Sequence, residues 1–387
     1  MYSKKGKNIL VINGVLHGHF PGTVEIVKQL VSLGHNVTCY VLDEFVERIK
    51  NVGAKIIEFT IDRSIFKNLP PGMPLMAVSP LTITKSYDSI ITLISKDENI
   101  YDFLVLDSFF DDEVLIKFFK NPPSKVISIW TSFCLTNQEI DKYHNQRMGV
   151  LSEVNKKYNI NIRDYIHLHY CSRNCNSKLM LTSKYFHPKV EKVDSSFIFI
   201  GPSIEERKID ETFNFKKDIN KKLIYVSFGT IFNQEIDFYK LCINAFKDSE
   251  KYQVLMSIGK YNDIKLLGEI PSNFFVFNYV PQIQVLKMAD FFFTHGGLNS
   301  TYEGLFNGLP LLIVPQNLDQ FDIAQLISKL GAGITLDKNN LTIDILKDAV
   351  NNIENNREKY KKEVEKIVQS FNEDRNKRKE IFEKLFS

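Results

Sequence analysis

Residues 289–320 read ADFFFTHGGLNSTYEGLFNGLPLLIVPQNLDQ, and the two apolar runs in it, DFFFT and PLLIVP, each end in a polar turn. The first run stops at Thr294, a His295-Gly296-Gly297 turn follows, and NSTYEGLF then shows the polar start and apolar spacing of a helix. The second run leads into PQNLDQ, which puts Asp319 and Gln320 beyond another strand. Glycines at such a joint let the backbone approach a ligand, and the first amides of a helix favour an anion. The segment therefore predicts a phosphate seat with a histidine beside it. Asn299, Ser300 and Thr301 have a simpler reading as caps of the helix. Asp319 and Gln320 offer a carboxylate and a carboxamide to sugar hydroxyls.

The same rhythm extends in both directions. NILVING, NVTCYVL, KIIEFT, FLVLD, KVISIW and KLMLTS are strand candidates in the first half; KLIYVSFG, YQVLMSIG and FFVFNYV precede the quoted stretch in the second. TVEIVKQLVSLG places Val24, Val27, Leu30 and Val31 at helical spacing, with Gly34 as a stop. Strands alternating with helices predict parallel α/β sheets. A length of 387 residues exceeds what one core supports, so two domains are expected. The polar stretch GPSIEERKIDETFNFKKDINK marks the join. The expected division is 1–204, a linker 205–221, a second domain 222–370, and a C-terminal helix 371–387 that packs back on the first domain. Ligands of open parallel sheets sit beyond the carboxyl ends of the strands, so both domains would present those ends to a shared cleft.

Composition excludes several classes. Basic residues number 49 and acidic residues 46, interleaved by sign as in KKEVEKIVQSFNEDRNKRKE, which argues against a nucleic-acid surface. No apolar run approaches the roughly 18 residues of a membrane span, and the start MYSKKGKNILVING is better read as a buried strand than as a signal peptide. The five cysteines, Cys39, Cys134, Cys171, Cys175 and Cys242, are odd in number and scattered, as in a reducing compartment, so a cytoplasmic protein is expected. HLHYCSRNC (167–175) gathers His167, His169, Cys171 and Cys175 but lacks the spacing of a zinc site, and no metal is expected.

The quoted segment resembles the donor-binding signature of the UDP-dependent family 1 glycosyltransferases in their bacterial form, with THGG, NS, a helix containing Glu, GLP and a strand ending in DQ. KLGAGITL (329–336) is similarly familiar, as are SFGT in YVSFGTIFN (225–233) and VPQ in NYVPQIQVL (278–286). The resemblance implies a GT-B fold, two Rossmann-like domains with parallel sheets facing a central cleft. It further implies that His295, Gly297, Asn299 and Ser300 hold a diphosphate, joined by Ser227, Gly229 and Thr230. Glu303 would take the ribose hydroxyls, and Tyr279, Val280 and Gln282 would lie near the base. Tyr279 is compatible with stacking on uracil and equally with a core role.

The first half diverges more from the family. GHFPGTVEIVKQLVSLGHNVTCYV (18–41) resembles the family's first strand-turn-helix unit, with Pro21 one position early and Gly22 at the usual proline site. YDFLVLDSFF (101–110) resembles the strand that supplies an aspartate. The resemblance implies His19 as general base and Asp107 as its orienting partner, with His17 as supporting structure. An imidazole titrating near pH 6.5 suits that task. Direct displacement from a UDP-sugar, with glucose the expected sugar, would invert the anomeric centre without a cofactor. The acceptor would be a small hydrophobic molecule bearing a hydroxyl, of the natural-product kind. Met76 in PPGMPLMAVSP (70–80) and Trp130 and Phe133 in WTSFCLTN (130–137) are apolar enough to line its pocket or to be core. A monomer or weak homodimer is expected. A non-catalytic nucleotide-sugar-binding protein on the same fold, or transfer to a lipid-linked acceptor at a membrane, remain as alternatives.

Overall fold

Short runs rich in valine, isoleucine and phenylalanine, too brief for helices and apolar on both faces, form the strands of two parallel sheets. The structure is a computed structural model that describes residues 6–14, 18–61, 75–133, 152, 156, 175–204, 209–229, 233, 235–260, 262–316 and 319–387, without the side chains of 75–84. Two compact units result. Unit 1 comprises Met1–Lys184, Lys189–Ser203 and Glu373–Ser387; unit 2 comprises Tyr185–Pro188 and Ile204–Asn372.

Unit 1 holds β1 (Asn8–Ile12), β2 (Asn36–Leu42), β3 (Lys55–Phe59), β4 (Phe103–Asp107), β5 (Lys125–Trp130), β6 (Ser177–Met180) and β7 (Phe197–Phe199), in the order β3-β2-β1-β4-β5-β6-β7. All described pairs are parallel. Its helices with both ends among the described residues are α1 (Phe20–Ser32), α2 (Val46–Ile49), α3 (Leu75–Lys96) and α4 (Asp112–Ile116). The chain moves outward from β1 through β2 to β3, then returns to β4 on the other side of β1. That reversal makes the β1/β4 junction a topological switch point, where loops diverge and leave room for a ligand.

Unit 2 repeats the plan with β8 (Lys222–Ser227), β9 (Tyr252–Ser257), β10 (Phe274–Phe277), β11 (Phe291–Thr294), β12 (Leu311–Ile313) and β13 (Gly333–Thr335), ordered β10-β9-β8-β11-β12-β13. Its helices are α5 (Ile236–Phe246), α6 (Gln282–Leu286), α7 (Leu298–Phe306), α8 (Asp319–Leu330), α9 (Ile343–Asn355) and the start of α10 (Arg357–Leu385). The switch point here is β8/β11. At the opposite, amino-terminal edge of this sheet, Lys222, Lys251 and Tyr252 all donate to Glu354 of α9. Burial opposes the charge on Glu354, but those hydrogen bonds outweigh it and hold the carboxyl down at about 2.

Helix α10 continues without a break from unit 2 into unit 1. There Phe382 and Phe386 join the core with Phe103 and Ile9. Arg378, 4% exposed, donates to the carbonyls of Ile200, Gly201 and Pro202 and pairs with Glu25 of α1 at 3.2 Å. A guanidinium with this many partners is well suited to burial.

Several boundaries differ from the sequence reading. The described residues of the 205–221 stretch belong to unit 2: Phe213 packs on Phe277, Phe215 on Phe275, and Asp218 N–H donates to Gln253 at 2.8 Å. Two phenylalanines in a charged stretch were enough to dock it. The passage back to unit 1 falls at 372/373, inside α10, rather than at a break at 370. Strands β7 and β13 span three residues each, too short to announce themselves by periodicity.

Candidate active site

In unit 1, His19 is the residue preceding α1, the helix that follows β1 in the chain. Pro21 lies in the first turn of that helix, where a missing N–H costs nothing, so its early position relative to the family pattern is still a helix start. Asp107 is the last residue of β4 and is fully buried. Its carboxylate lies 3.0 and 3.2 Å from His19 Nδ1 and accepts the Phe109 N–H at 2.9 Å. The Phe109 ring stacks on the imidazole, centroids 4.1 Å apart and planes 29° from parallel. Thr131, one residue past β5, adds Oγ1 at 2.6 Å from the same Nδ1. With Nδ1 turned to these groups, Nε2 is the nitrogen left to exchange a proton.

Trp130 and Phe133 require correction as acceptor-lining residues. Trp130 is 1% exposed and packs with Met180 and Phe199, its ring T-shaped against Phe197 at 5.2 Å, while Phe133 is 5% exposed. Both are buried in unit 1, where β5 is an interior strand of the sheet. The side chain of Met76, together with Thr230, His17, His167, His169 and Cys171, lies outside the described residues. Among the described residues no three His, Cys, Asp or Glu side chains converge as a metal site.

In unit 2 the turns after β8 and β11 press together. His295 follows β11, and its ring lies between Gly229 and Gly297: a Cβ on Gly229 would come 2.8 Å from His295 Cε1, and one on Gly297 would come 2.4 Å from Nε2. Gly229 also has φ +72°, so glycine is required there twice over. Burial pushes the His295 imidazole down to about 4, which makes it a neutral hydrogen-bonding group at physiological pH. Helix α7 starts at Leu298 on Gly297 with no side-chain cap. Asn299, Ser300 and Thr301 therefore stand inside the helix rather than capping it, and its first amides have no side-chain cap as a partner. Ser227 is buried at the end of β8, its Oγ 3.4 Å from the Gly229 N–H.

A second cluster adjoins the start of α7. Gln282 opens α6 and is held at both ends of its carboxamide: Oε1 accepts from Tyr225 at 3.0 Å, and Nε2 donates to Glu303 at 2.6 Å and Ser300 at 3.2 Å. Burial, reinforced by the nearby Glu303 charge, raises the Tyr225 hydroxyl, so it stays a donor. Gln282 thus aims Glu303. Val280 is buried, whereas Tyr279 is 70% exposed, which removes the core role for that ring. Asp319 is exposed at the first position of α8; Gln320 is buried, with Oε1 accepting the Gln316 N–H at 2.8 Å.

Sequence reasoning missed an asparagine lattice under these loops. Asn233 donates to the Gly229 carbonyl at 2.8 Å, Asn262 to the Asn233 carbonyl at 2.8 Å, and Asn278 to the carbonyls of Gly259 at 2.9 Å and Asn262 at 2.7 Å. It ties together the loops after β8, β9 and β10. The available signal was an asparagine shortly after each of three strands, where side-chain-to-backbone bonds shape turns.

Comparison with known proteins places the chain. Residues 252–386 match the family described as Erythromycin biosynthesis protein CIII-like, C-terminal domain. The chain is 30% identical over 384 residues to the UDP-glucosyltransferase YojK of Bacillus subtilis (strain 168), itself described as uncharacterized, covering 94% of this chain and 93% of the relative. It is 31% identical over 365 residues to the NDP-glycosyltransferase YjiC of the same organism, covering 92% and 91%. The crystal structure of the kitacinnamycin glycotransferase superposes with a TM-score of 0.77 at 22% identity, covering 98% of this chain and 99% of that one. The fold is that of the GT-B glycosyltransferases. The chain belongs to the UDP-glycosyltransferase family.

Proposed function

We propose that the protein transfers a hexosyl group, glucose foremost, from a UDP-sugar to a hydroxyl of a small apolar acceptor, with inversion and without a metal. The observation that carries this reading is His19 Nδ1 at 3.0 Å from the fully buried Asp107 carboxylate, at the switch point of unit 1. In this reading Nε2 takes the acceptor's proton, and the acceptor oxygen forms a bond to the anomeric carbon. The bond from that carbon to the β-phosphate oxygen breaks, and its electron pair leaves on UDP. Asp107 stabilises the imidazolium, as the buried carboxylate of a catalytic triad does, with the acceptor itself as nucleophile. The end of α7 and the His295 ring are the groups suited to the diphosphate charge. Glu303, aimed by Gln282, is suited to a ribose diol, Tyr279 to stacking on the base, and Asp319 and Gln320 to sugar hydroxyls.

A nucleotide-sugar-binding protein without catalysis would have no use for a carboxylate-held imidazole. The deciding experiment incubates purified protein with UDP-glucose, UDP-galactose, UDP-N-acetylglucosamine and a dTDP-sugar against a mixed aglycone library, read by mass spectrometry. Glycosylated product from a UDP-sugar is expected. Tight UDP binding with no transfer to any aglycone, lipid-linked acceptors included, would leave the binding-protein reading in its place.

A further inference from the structure

The shortest of the three hydrogen-bond contacts at His19 Nδ1 is to a hydroxyl. Thr131 Oγ1 lies 2.6 Å away, against 3.0 and 3.2 Å for the Asp107 oxygens. It reaches the ring from the end of β5, one strand beyond the strand that carries Asp107. The threonine is also held from behind. An added Cβ on Gly22 would come 3.3 Å from Thr131 Cγ2 and 2.4 Å from Leu181 Cδ2, so the methyl packs against the space that this glycine leaves. A β-branched side chain with its methyl fixed has its hydroxyl fixed as well. Gly22, the residue at the family's usual proline site, thereby gains a reason.

Proton counting sets the roles. Asp107 only accepts, so Nδ1 must carry a hydrogen; a bare lone pair there would face carboxylate lone pairs. One N–H then has two kinds of acceptor. Among the described residues Asp107 is the ionisable group in contact with the imidazole.

We propose that Thr131 is a positioning residue for His19, its hydroxyl oxygen sharing the Nδ1 hydrogen with Asp107 and so fixing the ring with Nε2 presented for proton transfer. The proposal rests on the reading of His19 as the base. The hydroxyl's share strengthens when the ring becomes cationic, so its loss makes the ring a weaker base. Without it, fewer groups oppose rotation of the imidazole about its Cβ–Cγ bond.

The test uses the full chain labelled with 15N-histidine and titrated from about pH 5 to 9 by NMR, with Thr131→Val and Thr131→Ser compared to the parent. Valine keeps the shape and removes the oxygen; serine keeps the oxygen. In T131V the His19 pKa should fall by about 0.5 with the Nδ1–H tautomer less populated, and T131S should titrate like the parent. In transfer from UDP-glucose, T131V should lose about tenfold in kcat with the donor KM unchanged, and T131S should retain activity. An unchanged or raised His19 pKa in T131V would overturn the proposal, as would equal loss in T131S, which would assign the effect to the methyl. If the parent protein transfers no sugar, the functional reading fails, and the titration still judges Thr131.

Discussion

At the strand ends of unit 2 the groups suited to a ligand come from short turns: Gly229 after β8, and His295, Gly297 and the first residues of α7 after β11. At the strand ends of unit 1 a single imidazole is held by side chains from positions 107, 109 and 131, the last separated from it by 112 residues. The turns after β8 and β11 in unit 2 give up side chains at Gly229 and Gly297 to make room for the His295 ring, whereas in unit 1 side chains converge on one ring. A backbone-built seat suits a constant group such as a diphosphate. In the function proposed above, a base held by side chains could keep its chemistry while the surrounding loops change to fit different acceptors.

The sharpest way to break that contrast is His19→Ala. Transfer should fall by about a thousandfold, while UDP affinity measured by calorimetry stays within about twofold; a matching loss of UDP binding would mean the two regions are not separable. Next comes Gly297→Ala, whose Cβ would meet His295 Nε2 at 2.4 Å. UDP should bind about 30-fold more weakly, a cost of about 2 kcal/mol, with the His19 NMR signals unmoved. Gln282→Ala and Glu303→Ala should each weaken UDP binding about tenfold and, because the two side chains share a hydrogen bond at 2.6 Å, the double variant should lose less than the product. Full additivity would show that Gln282 does not aim Glu303.

The smallest effect on transfer is expected at the opposite edge of the unit 2 sheet. Glu354 titrates at about 2 in the folded protein against 4.5 ordinarily, so it stabilises the fold above about pH 4.5 and loses that contribution as pH falls toward 2. Glu354→Gln should lower stability at pH 7 by about 1–2 kcal/mol and flatten its dependence on acid, read by thermal unfolding at pH 3 and 7, with transfer unchanged.

The same contrast explains what could be read from the sequence. Unit 2's strand-turn-helix joint occupies consecutive residues, so the FTHGGLNS stretch displays its strand, its glycines and its helix start together. The parallel sheets were legible for a related reason, since their strands are continuous apolar runs. His19 and Asp107 were named through resemblance, not through spacing. Thr131 and Phe109 gave no signal, because nothing local distinguishes a threonine after a strand from a turn residue. The asparagine lattice left only the faint signal of an asparagine shortly after each of three strands, and Trp130 stayed open because apolarity does not distinguish a pocket wall from a core.

Helix α10 also bears on the order of events during synthesis. Residues 373–387 are translated after all of unit 2, yet Phe382, Phe386 and Arg378 complete the core and the carbonyl contacts of unit 1. Domains generally fold as they emerge, amino-terminal first. Here the residues that complete the core of unit 1 are translated after the whole of unit 2, so the closing of that core comes late in synthesis.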